Sequence, residues 1–187
     1  MSDAGAFYQT LRLVVPAFGQ TGIPFSLTGG VALSVLAEPR LTYDIDIVVP
    51  GDVSLSAIHA LAHALGDRFL IESESVDEAL RVAGQFQLLD LETFVKVDVH
   101  VGEDVPGELS RRRPVEVIPG LVAPMVSAED AVLSKLIWVR LGSSRSRRDV
   151  QSYLRAAELD DVVLRERARQ MDLLDLLEEI ERHGPER

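Results

Sequence analysis

A pair of carboxylates in one short segment is the first candidate for chemistry in this sequence. Asp44 and Asp46 lie in residues 43–49, where polar and apolar residues alternate and predict a strand. Because side chains alternate across a strand, the two carboxylates share one face, about 6 to 7 Å apart along the chain. Such charges repel unless water screens them or a divalent cation lies between them, and oxygen ligands of this kind suit Mg²⁺. A solvated pair of strand carboxylates is the alternative interpretation.

A second predicted strand supplies a third carboxylate. In residues 95–101 every odd position is valine and every even position is polar, so Asp98 shares a face with a lysine and a histidine. If the two strands are neighbours, Asp98 lies beside Asp44 and Asp46. Three aspartates on adjacent strands form the arrangement that holds two metal ions for in-line phosphoryl or nucleotidyl transfer.

Two adjacent glycines predict an anion-binding site upstream of the carboxylates. Gly29 and Gly30 follow a short predicted strand, residues 25–28, and begin a helix that ends before Pro39. The free N–H groups and the dipole of a helix start attract phosphate, and glycine lets a phosphate approach the backbone closely. The pair is also typical of an ordinary turn between a strand and a helix.

Two charged residues in the C-terminal part are further candidates. Lys135, one of only two lysines, lies in an apolar predicted helix that begins at Ser127 and runs to about Leu141. Its ammonium group either reaches the surface along its own stem or neutralises charge on a triphosphate. Asp149 is predicted to open the next helix, where a carboxylate also serves as a dipole partner or salt-bridge acceptor.

Other chemically suggestive residues favour structural roles. His59 and His63 are four residues apart on a predicted helix, which suits metal ligation, but no His-Glu-x-x-His motif accompanies them. We interpret them as a solvated or packed pair, and Trp138 as a core residue rather than a stacking platform. The absence of cysteine from the sequence excludes disulfides, thiolate nucleophiles and cysteine-ligated metal.

The order of predicted elements indicates an α/β (α+β) fold. Strands and helices alternate up to about residue 101, residues 85–91 and 95–101 are expected to pair as antiparallel strands, and the rest is predicted to be helical. We expect a mixed β-sheet core flanked by helices over residues 1–125. A C-terminal helical bundle over residues 126–187 is expected to pack on that core.

The charge of the chain limits its possible partners. With 19 basic and 30 acidic residues the net charge is −11, which argues against a coat that binds nucleic acid through bulk positive charge. Residues 111–148 alone carry 8 basic and 3 acidic side chains, and this cationic zone is expected to face a triphosphate or an RNA end. No apolar run approaches the roughly 18 residues of a membrane span, and no secretory signal is evident, so a cytoplasmic location is expected.

Taken together, these motifs resemble the minimal nucleotidyltransferases of the AbiEii and MenT toxin type, within the DNA polymerase beta-like nucleotidyltransferase superfamily. The resemblance spans most of the chain and is carried, in order, by Gly29-Gly30, Arg40-Leu-Thr-Tyr-Asp44-Ile-Asp46, Lys96-Val-Asp98, Glu129-Asp130 with Lys135-Leu136, and Arg148-Asp149-Val150. Many members of the wider superfamily carry Gly-Ser where this chain has Gly29-Gly30.

The resemblance implies a nucleotidyltransferase fold and an activity. Relatives of this type move a nucleoside monophosphate from an NTP to an acceptor hydroxyl, which in characterised toxins is the 3′ end of a tRNA. Asp44 and Asp46 are implied as ligands of two Mg²⁺ ions, with Asp98 as a third ligand or as the group that activates the attacking hydroxyl. Lys135 and Asp149 match a lysine and an aspartate that the family needs for activity.

The resemblance also implies nucleotide contacts and regulation. Gly29, Gly30, Arg40 and Lys135 are the implied nucleotide-binding residues. A cognate antitoxin is the implied partner, in some relatives a repressor and in others a kinase that phosphorylates the toxin near its site. Thr42, which lies just before the carboxylate pair, is a candidate for such phosphorylation.

Two other functions stay open at this point. The same enzyme would act on a different acceptor if it modified a small molecule such as an aminoglycoside, or a partner protein by AMPylation. A cationic aminoglycoside would favour an acidic cleft, whereas tRNA would favour a basic one. Alternatively, the chain is a non-catalytic module that binds nucleotide or neutralises a partner.

Overall fold

The computed structural model describes residues 3–38 and 42–183, so Arg40 lies outside the described residues. The strands in these ranges are β1 (Ser26–Leu27), β2 (Asp44–Val49), β3 (Phe69–Ile71), β4 (Gln85–Asp90), β5 (Lys96–Val101), β6 (Arg113–Ile118) and β7 (Leu121–Met125). They form one mixed sheet in the order β3-β4-β5-β2-β1-β7-β6. The predicted antiparallel pairing of β4 with β5 is confirmed, and β2 lies parallel to β5 on its other side.

Helices flank this sheet, which confirms the predicted α/β fold. They are α1 (Asp3–Thr21), α2 (Gly29–Leu36), α3 (Leu55–Leu65), α4 (Ser73–Val82), the short α5 (Glu108–Arg111), α6 (Ala128–Arg140), α7 (Ser144–Ala156), α8 (Asp161–Gln170) and α9 (Leu174–His183). Helices α6 to α9 pack on one another, and α6 and α7 also pack on α2. The division into two regions at residue 125 stays a prediction. Within the described ranges, no helix is long and apolar enough to cross a membrane.

The alternation in β2 and β5 decides which side chains enter the core. Ile45, Ile47, Val97 and Val99 are fully buried in the main hydrophobic cluster, and α4 packs on β4 and β5. Because neighbouring side chains point to opposite faces, the polar residues of both strands lie on the other face of the sheet. The core therefore fixes the face on which the candidate carboxylates are displayed.

The segment after β5 differs from the prediction that it would be helical. Strands β6 and β7 form an antiparallel hairpin across Gly120, whose φ of +77° favours glycine. Each strand contains a proline, Pro114 or Pro124, which weakens the sequence pattern of a strand. Pro114 is tolerated because β6 is the last strand of the sheet, where a proline costs no inner ladder bond.

The C-terminal helices begin with side-chain caps. The hydroxyl oxygen of Ser127 accepts a hydrogen bond from the N–H of Asp130, which confirms the predicted start of α6. Ser143 caps α7 in the same way through the N–H of Ser146. Since α7 begins at Ser144, Asp149 lies inside this helix, and the prediction that it opens the helix was wrong.

A buried ion pair links Asp90 of β4 to Arg68. The carboxylate of Asp90 has no exposed surface, and it accepts hydrogen bonds from Arg68 at 3.0 and 2.9 Å and from Thr10 at 2.6 Å. Burial by itself would raise the pKa of Asp90. The hydrogen bonds from Arg68 and Thr10 outweigh burial and hold this pKa well below its usual range.

We expect Asp90→Asn to lower the free energy of unfolding by about 3 kcal/mol at neutral pH, because Arg68 loses its buried carboxylate. A lowered pKa stabilises the fold above the unfolded-state value of about 3.9, and this contribution is lost as the pH falls. Urea denaturation should therefore show the difference shrinking from about pH 5 to about pH 2. Glu92, the exposed partner of Arg68, is the control, and Glu92→Gln should cost less than about 1 kcal/mol. Equal losses in the two variants would contradict the assignment.

Candidate active site

The three predicted carboxylates lie on one face of two neighbouring strands. Asp46 in β2 is paired in register with Asp98 in β5, and Asp44 is paired with Lys96. Asp44 shares the face of Asp46 because the two are separated by one residue of the strand. The adjacency on which the sequence argument depended is therefore present, and the sheet brings all three aspartates together.

Each of two carboxylates has protein neighbours of its own. One oxygen of Asp46 accepts a hydrogen bond from the N–H of Gly30 at 3.2 Å, and the other lies 3.7 Å from Nε2 of His100. Asp98 accepts a hydrogen bond from the side-chain amide of Gln87 at 2.7 Å. As placed, no three His, Asp or Glu side chains of the described residues converge closely enough to hold a metal ion. Binding a cation would therefore require these carboxylates to move closer together.

The electrostatics show that negative charge is crowded on this face. The pKa of Asp44 is raised, mainly by burial and then by the negative charges of Asp98 and Asp46. Burial also acts to raise the pKa of Asp46, but His100 and the N–H of Gly30 outweigh it and hold this pKa below its usual range. Attraction to Asp46 likewise overcomes burial and raises the pKa of His100. A cation near Asp44 would relieve the remaining repulsion.

The two glycines at the start of α2 lie directly against the carboxylate strand. Gly29 has a φ of +58°, and a Cβ there would lie 1.9 Å from Oδ2 of Asp46. At Gly30 a Cβ would lie 2.3 Å from Oγ1 of Thr42. The Thr42 side chain therefore occupies the space that a side chain at position 30 would need, which explains the glycine where many of the superfamily carry serine.

We expect Gly30→Ser to lower the free energy of unfolding by about 1 to 3 kcal/mol, because the new side chain collides with Thr42. Thr42→Gly removes the colliding atoms, so the double variant should be more stable than the sum of the two single losses predicts. Urea denaturation of the four proteins measures this double-mutant cycle. Strictly additive losses would show that positions 30 and 42 do not compete for the same space.

Lys135 and Asp149, predicted as separate candidates, form a pair. Nζ of Lys135 in α6 lies 3.6 Å from Oδ2 of Asp149 in α7, and the two side chains are 18% and 6% exposed. The packing of α6 on α7 holds this pair near the sheet. The positive charge of Lys135 also helps to lower the pKa of Asp46, so the ammonium group acts on the carboxylate face.

A cavity of about 160 Å³ lies beside these groups, and of the three candidate metal ligands only Asp46 lines it. Gly29, Asp46 and Lys135 line it, and so does Trp138. Trp138 is 44% exposed, so its assignment to the core was wrong. The apolar composition of α6 concealed the exposed position of this side chain.

Three further cavity residues were not among the sequence candidates: His100, Asp104 and Glu108. Glu108 is almost fully buried, and its carboxylate accepts hydrogen bonds from the N–H groups of Asp104 and Val105. Burial raises the pKa of Glu108 to about 7. His100 could have been predicted from the sequence, because the alternation of β5 places it on the face of Asp98. Asp104 and Glu108 follow the strand in no recognisable motif.

The predicted cationic zone is divided between two places. Lys135 lines the cavity, whereas Arg111, Arg112 and Arg113 line a separate groove beside the start of α6. Arg111 donates two hydrogen bonds to the buried carboxylate of Asp130, at 3.0 and 2.8 Å. That residues 111–148 face a triphosphate or an RNA end stays a prediction.

Solved structures share this fold and define its class. The antibiotic-resistance factor ANT(2″)-Ia in solution matches with a TM-score of 0.57 at 14% sequence identity, over 98% of this chain and 94% of that chain. JHP933 from Helicobacter pylori matches with a TM-score of 0.53 at 14% identity, over 93% and 78%. ANT(2″)-Ia in complex with adenylyl-2″-tobramycin matches with a TM-score of 0.52 at 15% identity, over 90% and 92%. The chain thus has a nucleotidyltransferase-like fold.

The sequence itself identifies the family within this class. The profile of the nucleotidyl transferase AbiEii toxin family, of type IV toxin–antitoxin systems, matches residues 15–177. The chain belongs to the AbiEii nucleotidyltransferase family, and the predicted enzyme class is confirmed. No curated protein sequence matches the chain significantly. The likeness to MenT toxins stays a prediction.

Proposed function

We propose that this protein is a toxin that transfers a nucleoside monophosphate from an NTP to the 3′ end of a tRNA in an Mg²⁺-dependent reaction. The observation that carries the proposal is the register of Asp46 with Asp98, with Asp44 on the same face and the start of α2 beside it. Family membership supports the transfer. The metal, the acceptor and the toxin role are our inference.

The donor set of this face fits Mg²⁺. Asp44, Asp46 and Asp98 supply carboxylate oxygens, which are the ligands that Mg²⁺ prefers. Burial and then the negative charges of Asp98 and Asp46 raise the pKa of Asp44, so the three carboxylates repel one another at this place. These three residues would hold two ions, which when bound would offset the charge of the triphosphate and of the leaving group.

The elements around the carboxylates suit a triphosphate. The start of α2 at Gly29 and Gly30 offers the positive end of a helix dipole, and the N–H of Gly30 donates to the metal-ligand candidate Asp46. Lys135 also lines the cavity, and Asp149 holds its ammonium group in place. Arg40 stays a predicted nucleotide contact.

In the proposed reaction the acceptor hydroxyl oxygen attacks the α-phosphorus of the NTP. A new P–O bond forms there, the bond between the α-phosphorus and its bridging oxygen breaks, and pyrophosphate leaves with the bonding electron pair. The hydroxyl proton passes to a carboxylate, and we assign this role to Asp98. Gln87, which donates to Asp98 at 2.7 Å, orients that carboxylate on the open face of the sheet.

Sequencing tRNA 3′ ends after expression tests the acceptor. We expect added nucleotides in cells that express the wild-type chain and none in cells that express Asp44→Ala. Unchanged 3′ ends with the wild type would overturn the tRNA proposal, and so would equal additions by the variant.

A small cationic acceptor is the second candidate, and a specific observation favours it. Asp104 and Glu108 line the cavity in addition to Asp46, so three carboxylates border the cleft. The neighbouring structure of ANT(2″)-Ia contains adenylyl-2″-tobramycin. Label from an NTP should then appear on an aminoglycoside and not on tRNA. Label on a protein would indicate AMPylation, and nucleotide binding without any transfer would indicate a non-catalytic module.

Phosphorylation of Thr42 is our proposal for regulation of this site. The Thr42 hydroxyl lies against Gly30 and donates a hydrogen bond to the carbonyl oxygen of Asp44 at 3.2 Å. A phosphate there would add negative charge beside the carboxylates and repel an incoming triphosphate. We expect Thr42→Glu to weaken transfer by about tenfold more than the neutral, equally large Thr42→Gln, measured as kcat/KM for the NTP. Equal effects would make size, not charge, the cause.

A further inference from the structure

Trp138 differs from the other large apolar residues of its helix. Leu133 and Leu136 of α6 are fully buried, whereas Trp138, the only tryptophan of the sequence, keeps 44% of its surface exposed. An indole ring gains more than a leucine from burial, so the fold leaves a large gain unused at this position. Its exposed surface borders the cavity that contains Asp46 and Lys135.

Trp138 lies one helical turn from Lys135, which we propose to bind phosphate. Trp138 follows Lys135 by three residues, so the two side chains lie on one face of the helix, about 4.5 Å apart along its axis. Gly29 lies on the wall formed by the start of α2. In a nucleotide the ribose and then the base follow the phosphates, so an NTP with its phosphates between Gly29 and Lys135 would place its base against the indole at the edge of the same cavity.

We propose that Trp138 binds the nucleobase of the NTP by stacking. This inference rests on the proposed function, because it takes the phosphates to lie at Gly29 and Lys135. The indole supplies a flat apolar surface at the edge of a cavity that also contains Asp46 and Lys135, and every nucleobase has a π-face that can stack on it. Trp138 is thus a substrate-binding residue that contributes affinity for all NTPs rather than a choice among them.

Calorimetric titration with an NTP and with inorganic triphosphate, in Mg²⁺ and without acceptor, separates base binding from phosphate binding. We expect Trp138→Ala to weaken NTP binding by about 5- to 100-fold and to leave triphosphate binding within about twofold, because only the NTP carries a base. Trp138→Phe keeps a ring and should lose less than about fivefold. As Trp138 is the sole tryptophan, the NTP should also quench the fluorescence of the wild type.

Leu141 provides a matched control for loss of an exposed apolar side chain. It is 70% exposed at the end of α6 and does not line the cavity, so Leu141→Ala should bind both ligands like the wild type. Unchanged NTP affinity in Trp138→Ala would overturn the stacking proposal, and so would an equal loss for NTP and inorganic triphosphate. If the wild type binds neither ligand, the proposed function fails and this inference fails with it. If the wild type binds both ligands but Trp138→Ala does not weaken NTP binding selectively, the stacking proposal is wrong and the proposed function stands.

Discussion

Asp46→Asn is expected to reduce nucleotidyl transfer by at least about 1,000-fold while leaving the fold intact. Asparagine keeps the size of the side chain and an oxygen for the N–H of Gly30. It removes the negative charge that faces Asp98 across the two strands, on which we propose that the metal ions depend. The measurement is the initial rate of label incorporation from an NTP, with circular dichroism and thermal unfolding to show that the variant folds.

Asp52 offers a matched control for this substitution. It is exposed in the turn after β2 and does not line the cavity, so Asp52→Asn should keep the transfer rate within about twofold. An Asp46→Asn protein that retains more than about a tenth of the wild-type rate would contradict the role proposed for this carboxylate.

Gly29→Ala is expected to lower transfer by about 100-fold or more, because the new methyl group would displace the Asp46 carboxylate. Its Cβ would lie 1.9 Å from Oδ2 and 2.4 Å from Cγ of Asp46. The φ of +58° at this position adds backbone strain of about 1 kcal/mol or more. The transfer rate and the free energy of unfolding should be measured on the same preparation.

Gly22 provides a control that separates backbone strain from collision with the Asp46 side chain. It has a similar φ of +69° in the turn after α1, but a Cβ there would meet no atom within 4 Å. Gly22→Ala should therefore cost about as much stability from strain alone and leave the transfer rate unchanged. If Gly22→Ala and Gly29→Ala had the same effect on transfer, contact with Asp46 could not be the cause.

The arrangement of the carboxylates was predictable because it depends on short-range periodicity. Alternation in β2 and β5 fixes which side chains enter the core, and this places Asp44, Asp46 and Asp98 on the opposite face. The start of α2 was equally evident from Gly29 and Gly30. What the pattern alone left open was whether β2 and β5 are neighbours, because pairing between distant strands depends on the whole sheet.

Features that depend on long-range packing were missed or misread. The β6–β7 hairpin was missed because its prolines weaken the strand pattern, although β7 gains its place by pairing with β1. Trp138 was assigned to the core since its neighbours in α6 are apolar, and only the tertiary structure shows that its side chain reaches the cavity. Glu108 lies near the site because the segment after β5 contacts α6, where Ser134 donates a hydrogen bond to Asp104, and no local motif predicts this contact.

We propose that the protein moves the nucleoside monophosphate part of an NTP to tRNA, and NTPs labelled at different phosphates test this proposal. We predict that tRNA incubated with the protein, Mg²⁺ and an NTP labelled at the α-phosphate becomes labelled at its 3′ end. With an NTP labelled at the γ-phosphate, tRNA should stay unlabelled and the label should appear in pyrophosphate. Label transferred from the γ-phosphate, or no label on tRNA from any of the four α-labelled NTPs, would contradict the account.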